Sequence, residues 1–322
     1  MRRSLIAAYG LLACVLAVPP AMAQPYPNKP VRIVIGYTPG GSADGAVRPL
    51  ARVLETILGQ PIIIEPKPGT AGGIAAEYIA KAPADGYTLY FFDNGPLTVA
   101  PHLTRVGYNS LTSFTLLGHV CGTASLLVVN AQTPFNSVAD VVAASKREPA
   151  RWSYGTSGIA GPHHLSGEFF KSVTGATLLH IPYKGGGPAM TDLMGGQVPM
   201  MFSSLGPAVG GVKSGKIRAL AVTSLRRSSA FPEVPTMDEV GVKGFESIGW
   251  FGLLGPAGLP AEVTARLTQA LRVAGDDKKL QEQIRITGCD VEILTPAQTL
   301  DRVKLDFAKW GRVVKDAGIK TE

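Results

Sequence analysis

An α/β fold in two domains follows from three features of this 322-residue sequence. Short β-branched runs alternate with runs of helical period. The length that remains after an N-terminal leader fits two domains of ordinary size. Two glycine-rich turns, far apart in the chain, each sit between a strand and a helix. Such alternation implies βαβ units, hence mostly parallel sheets with helices on both faces.

Each element has a local reason. Residues 31–36 (VRIVIG) are a strand by β-branched content. Residues 44–58 are a helix with Val47, Leu50, Leu54 and Leu58 on one face and Gly59 as its stop. Strands follow at 61–65 and 87–93, around a helix at 74–82. The run 125–130 (SLLVVN) is a strand, and Ser137 opens a helix that reaches Lys146. Strands at 152–155, 178–183, 198–203 and 217–224 enclose helices at 163–173, 188–194 and 207–213. A strand at 249–254 precedes helices at 260–274 and 296–317. No linker or low-complexity stretch separates domains, so the boundaries fall at crossovers near 122–125 and 248. That makes 24–123 plus 249–322 one discontinuous domain and 124–248 the other.

Composition narrows the function. Hydrophobic residues are 45% and charged residues 17%, which supplies a core and excludes wholesale disorder. Aromatics at 7% argue against a nucleic-acid stacking surface. The net charge is +7, and two of those charges are leader arginines. Five basic residues lie on the last helix (Arg302, Lys304, Lys309, Arg312, Lys315), opposite an apolar face of Leu300, Val303, Phe307, Trp310 and Val314. This reads as a solvated helix face, with no membrane or nucleic acid implied.

The first residues read as an export signal: Arg2-Arg3, an apolar run from Leu5 to Val18, and Ala21-Met22-Ala23 before Gln24. Cleavage is expected after Ala23. Leu12-Ala13-Cys14 is a loose lipoprotein box, but lipidation at Cys14 would leave an apolar mature start. No later run has the 18 or more apolar residues of a membrane span. Beyond the leader only Cys121 and Cys289 remain. An oxidising compartment would let them pair, and two buried free thiols are the expected state.

Two turns carry chemistry. Tyr37, Thr38, Gly40, Gly41, Ser42 and Asp44 lie in the first, where Ser42 or Asp44 is the expected helix cap. Thr156, Ser157, Gly158, Pro162 and His163 lie in the second, with Pro162 suited to the first helical position. Glycine lets backbone approach a ligand closely, and first-turn amides with the helix dipole behind them form an anion site. One such turn per domain suggests two jaws on one small anion. Gly210 to Lys216 has phosphate-loop spacing, but Ile217 stands where Ser or Thr is needed. His163, His164 and Glu168 lack a third ligand at fixed spacing and read as helix-start and surface residues. No metal, cofactor or catalytic triad is expected.

Many further motifs resemble the Bug, or TctC-like, family of extracytoplasmic solute receptors of tripartite tricarboxylate transporters. They include 26–30 (YPNKP), 39–44 (PGGSAD) with Arg48, 65–69 (EPKPG), 84–89 (ADGYTL), 180–185 (HIPYKG), 192–198 (DLMGGQV), 218–223 (RALAVT) and 250–258 (WFGLLGPAG). The resemblance implies a periplasmic Venus-flytrap protein, expected to be a monomer. It would grip a small carboxylate with the two turns and hand it to integral-membrane transporter subunits. Relatives often carry Asp-Asn after the Phe that matches Phe202. Here Ser203 and Ser204 stand there, and Tyr37-Thr38 replaces a usual Phe-Ala. By the resemblance Ser203 and Ser204 face the far end of the ligand. Uncharged serines there predict a non-amino acid, with dicarboxylates ahead of tricarboxylates and aromatic acids, while Asp93 is an acid that could reach a ligand amine. The alternatives are a secreted α/β enzyme acting on a small acid, or a receptor that presents its ligand to a sensor.

Overall fold

One strand runs the length of the molecule and ties its two halves together. The computed structural model describes residues 26–39 and 41–320. The expected leader, Cys14 and Gly40 lie outside the described residues. In chain order the first half contains β1 (Val31–Ile35), α1 (Ser42–Leu58), β2 (Ile62–Pro66), α2 (Gly73–Ala80), β3 (Thr88–Asp93), α3 (Asn94–Thr98) and α4 (Ala100–Leu103). The long strand β4 spans Phe114–Asn130. Then come α5 (Val138–Arg147), β5 (Ser153–Thr156), α6 (Pro162–Thr174), β6 (Leu179–Pro182), α7 (Gly186–Met194), β7 (Met200–Ser204), α8 (Leu205–Lys213) and β8 (Ile217–Val222). The chain returns through β9 (Ile248–Pro256), α9 (Ala261–Gly275), α10 (Lys278–Arg285), β10 (Asp290–Leu294) and α11 (Pro296–Asp316).

The strands follow the order β2-β1-β3-β9-β4-β7-β5-β6, with β8 and β10 also on β4. Residues 114–124 of β4 pair with β9, and residues 125–130 pair with β7 and β8. Within each half successive residues turn to opposite faces, and both faces are covered. Ile33 and Ile35 pack with Leu50, Leu54 and Leu271, whereas Val34 packs with Ala76, Phe92 and Val303. In the second half Leu127 and Val129 join Phe170 and Phe202, whereas Leu126 and Val128 join Met190 and Leu205. Burial on both faces is why these strands read as continuous apolar runs.

The expectation of mostly parallel sheets needs correction. Among the described strands, parallel ladders join β1 to β2 and β3, and β5 to β6 and β7. The central strands β4 and β9 pair antiparallel with everything they touch. They run between the halves and fall outside βαβ repeats, so the handed-crossover rule does not govern them.

The free thiols are also corrected: Cys121 and Cys289 form a disulfide, with Cα atoms 5.6 Å apart. The cause is β10, which lacks a strong sequence signal. It lies antiparallel to β4 with Val291 opposite Cys121, and this brings Cys289 alongside. Both cysteines are buried, as expected. The basic face of α11 is only partly solvated. Arg302 pairs with Glu246 at 3.2 Å, and Lys309 pairs with Asp306 at 2.8 Å and donates to the Glu246 carbonyl. These contacts pin α11 to the segment that leads into β9.

Candidate ligand-binding site

Strand polarity places the site. β3 is antiparallel to β9, β9 is antiparallel to β4, and β4 is antiparallel to β7. The carboxyl ends of β1–β3 therefore point toward the second half, and those of β5–β7 point back toward the first. Helices α1, α3, α6, α7 and α8 begin at those ends, so two sets of helix N-termini oppose each other across one cleft. Ligands of open α/β sheets bind outside the carboxyl ends of strands.

Of these helices only α3 has a side-chain cap, and α1, α6, α7 and α8 have none. Gly41 is the N-cap of α1, and Gly161 is the N-cap of α6. The expected capping role of Ser42 or Asp44 is thus corrected. Ser42 is the first helical residue, and Asp44 is buried in the first turn, ion-paired with Arg48 at 2.8 Å. Pro162 takes the first helical position of α6, as expected. First-turn amides left without a side-chain acceptor favour an anion. Thr38, Gly41 and Ser42 are exposed at the mouth of the cleft.

The second turn is braced by a buried polar network. Thr156 shares a 2.6 Å hydrogen bond with His180 and donates to the Gly158 carbonyl. Ser157 and Ser204 contact the two ring nitrogens of His163, at 2.8 and 3.2 Å. Gly158 and Ala160 both have positive φ, and the Ala160 amide donates to His164 Nδ1 at 3.0 Å. That bond makes Nδ1 an acceptor, so neutral His164 carries its proton on Nε2, 3.8 Å from Glu168. Strain at Ala160 is held by this anchor.

His164 and Glu168 are not the surface residues expected: each is 7% exposed. Glu168 accepts from Tyr154 at 2.6 Å and pairs with Lys171 at 2.8 Å, and the rings of His164 and His180 stack 3.7 Å apart. Helical spacing identified the shared face. It could not reveal that the face lies against β5 and β6. Ser203 is buried in β7 with its hydroxyl on the Ser204 carbonyl.

Between the two turns lies a cavity of about 580 Å³. Tyr37 and Asp93 border it from the first half, and Ile159 to Pro162 border it from the second. Of the expected site residues only Tyr37, Asp93 and Pro162 line it; Thr38, Gly41, Ser42, Asp44, Thr156, Ser157, Gly158, His163, Ser203 and Ser204 do not. Its far wall is apolar and was not anticipated: Val99, Leu103, Leu165, Ile248 and Trp310 come from four separate segments. Asp93 caps α3 through the Gly95 amide at 3.3 Å. Burial pushes its pKa up to about 6, a rise limited by the Tyr37 hydroxyl and the Gly95 amide.

Burial also lowers His119, His163 and His180 to about 4. A histidine lowered in the fold binds fewer protons than in the unfolded chain between pH 4 and 6.5, so acid favours unfolding there. Asp93 works in the opposite sense between about 3.8 and 6. Three histidines against one acid predict a net loss of stability as pH falls from 6.5 to 4. Thermal midpoints across that range check this, and a flat or rising profile on acidification would refute it.

A family profile described as tripartite tricarboxylate transporter family receptor (TctC) matches residues 46–319. Protein BugT of Bordetella pertussis is 33% identical over 303 residues, covering 94% of this chain and 93% of BugT. The structure of R. palustris Rpa4515 with adipate is 33% identical, with a TM-score of 0.74 over 92% of this chain and 99% of that one. MatC from Rhodopseudomonas palustris with bound malate is 27% identical, with a TM-score of 0.71 over 90% of this chain and all of the other. With a profile that spans most of its length and relatives that match nearly end to end, the chain belongs to the TctC receptor family of tripartite tricarboxylate transporters.

Proposed function

We propose that this chain is a periplasmic receptor that captures a small carboxylate between two lobes and delivers it to membrane-embedded transporter subunits. The lobes are residues 24–123 with 249–322, and residues 124–248, after signal cleavage behind Ala23. The observation that carries the reading is that the uncapped N-terminus of α6, at Gly161, borders a cavity whose other side is Tyr37 of the first glycine-rich turn, and α1, which follows that turn, is uncapped as well. Related proteins of known structure hold adipate and malate, which supports a carboxylate ligand here.

In this reading the ligand carboxylate sits between the first turns of α1 and α6 and accepts from their amides. Tyr37, Thr38, Ser42 and Ser157 add hydroxyl donors, and Gly158 and Thr156 shape the second turn. His163 holds Ser157 and Ser204 in place. Asp44 steadies α1 through Arg48, Asp93 forms the wall behind, and Ser203 lies buried in β7 outside the cavity. Hydrogen bonds to a charged group contribute roughly 1.5–3 kcal/mol each, so four to six exceed the association cost of at least about 4 kcal/mol. Micromolar binding, near −8 kcal/mol, needs no lysine or arginine in contact. The chain acts by binding and has no catalytic residue.

Calorimetry with a carboxylic acid and its methyl ester tests the reading. The acid is expected to bind at micromolar Kd and the ester at least about 100-fold more weakly. Equal binding of the two, or turnover of the acid, would overturn it.

A further inference from the structure

The far wall of the cleft says what the rest of the ligand is made of. The cavity reaches from the turn at 159–162 to α4 and to Trp310 of α11, and it meets the proposed carboxylate grip at Gly161 and Pro162. Among the described residues, none that lines it is lysine, arginine or histidine. Its depth is built from Val99, Leu103, Leu165, Ile248 and Trp310, with Ile159 at the rim. Asp93 is the one carboxylate in the lining.

These facts bear on a second charge. A dicarboxylate seated with one end in the grip would bring its other carboxylate to a wall with no cation. Burying an ion without a partner carries a large desolvation cost. Asp93 adds like-charge repulsion. Ser203 and Ser204 do not border the cavity; of the neutral polar side chains that do, Ser247 is held by Ser166 and Asn94 accepts from the Trp250 amide, so Thr70 and Thr104 are few donors for a buried carboxylate. An apolar ligand body, in contrast, would cover the Leu103, Leu165 and Trp310 side chains and gain about 25 cal/mol for each Å² removed from water. A ligand α-ammonium would lie beside helix N-termini that present positive potential, and Asp93, the acid in the lining that could meet it, already accepts from the Gly95 amide and the Tyr37 hydroxyl.

We infer that the ligand is a monocarboxylate with an apolar body, branched aliphatic or aromatic, that carries no second charge. This rests on the carboxylate-receptor reading above. It reverses the order of ligand classes expected from Ser203 and Ser204, because the wall at the far end is a different one. The relative that holds adipate shares the fold, while the lining here departs from what a second carboxylate requires.

The test is calorimetry of the purified chain with matched pairs. Hexanoate against adipate isolates the second carboxylate, and 4-methylpentanoate against leucine isolates the ammonium. Hexanoate against hexanamide isolates the first carboxylate, and phenylacetate represents the aromatic body. Hexanoate and 4-methylpentanoate are each expected to bind at least tenfold more tightly than their doubly charged counterparts, with phenylacetate in the same range. Tighter binding of adipate or leucine would overturn the inference and leave the receptor reading standing. Hexanamide binding as tightly as hexanoate, or no binding by any of the acids, would overturn both. Leu103→Arg supplies a cation at the half-buried end of α4 and is expected to shift the adipate-to-hexanoate affinity ratio at least tenfold toward adipate. An unchanged ratio in a variant with the parent melting curve would put the ligand's far end elsewhere and sink the inference.

Discussion

Gly161→Asp is expected to weaken carboxylate binding at least about 100-fold while leaving the unliganded chain as heat-stable as its parent. Gly161 has φ −77° and ψ 171°, an extended conformation open to any residue, and a Cβ there meets no atom within 4 Å. The new side chain therefore fits without strain. Aspartate is among the preferred N-cap residues, and its carboxylate would accept from the His163 and His164 amides, the second and third of α6. Those amides are the ones proposed to hold the ligand. The helix gains a few tenths of a kcal/mol over glycine, and the ligand loses two charge-assisted hydrogen bonds and meets a like charge. At roughly 1.5–3 kcal/mol per bond, two lost bonds correspond to two or more decades in Kd. Gly161→Ala is the control: it adds the Cβ without an acceptor and should hold affinity within a few-fold. Titration of both variants with hexanoate, beside their melting curves, checks the prediction. Unchanged affinity in Gly161→Asp would remove α6 from the grip.

The second large effect concerns the disulfide. Replacing Cys121 and Cys289 together by alanine is expected to lower the thermal midpoint by about 10 °C. The bond links residues 168 apart in sequence, and closing so long a loop restricts the unfolded chain by roughly 4–5 kcal/mol. Each kcal/mol moves the midpoint of a chain of this size by about 2 °C. Both sites are buried, so the alanines also leave small voids that act in the same direction. Each single variant should fall as far as the double. A double variant within 2 °C of the parent would show that the crosslink constrains nothing that the fold does not already hold.

Much of the architecture was legible because local rules and tertiary packing agree. Gly59 ends α1 with φ 71°, where a left-handed residue is required, and the sequence marks it as the stop. Ser137 opens α5 through a capping box with Asp140. Both glycine-rich turns fall between a strand and a helix, as their spacing predicts. The first eleven residues of β4 were harder to read: glycines at 118 and 122 and a histidine at 119 break the β-branched pattern. Those glycines serve the two ladders on either side, which no local rule can see. The helix α10 and strand β10 were missed for the same reason, since their apolar positions are few and are set by contact with α1, α9 and β4.

What the sequence determined by itself was the α/β class, the position of both glycine-rich turns between a strand and a helix, and the family. These depend on interactions among near neighbours in the chain: periodicity, caps and turn glycines. Only the tertiary structure decided three further matters. It joined Cys121 to Cys289 through a strand pairing across more than 160 residues. It sealed His164 and Glu168 beneath the second turn. It also made the far wall of the cleft from Val99, Leu103, Leu165, Ile248 and Trp310, while Ser203 and Ser204 stand apart from it. A cavity wall is a set of residues distant in sequence and adjacent in space. Its chemistry exists only after the sheet polarity has turned two sets of helix N-termini toward each other.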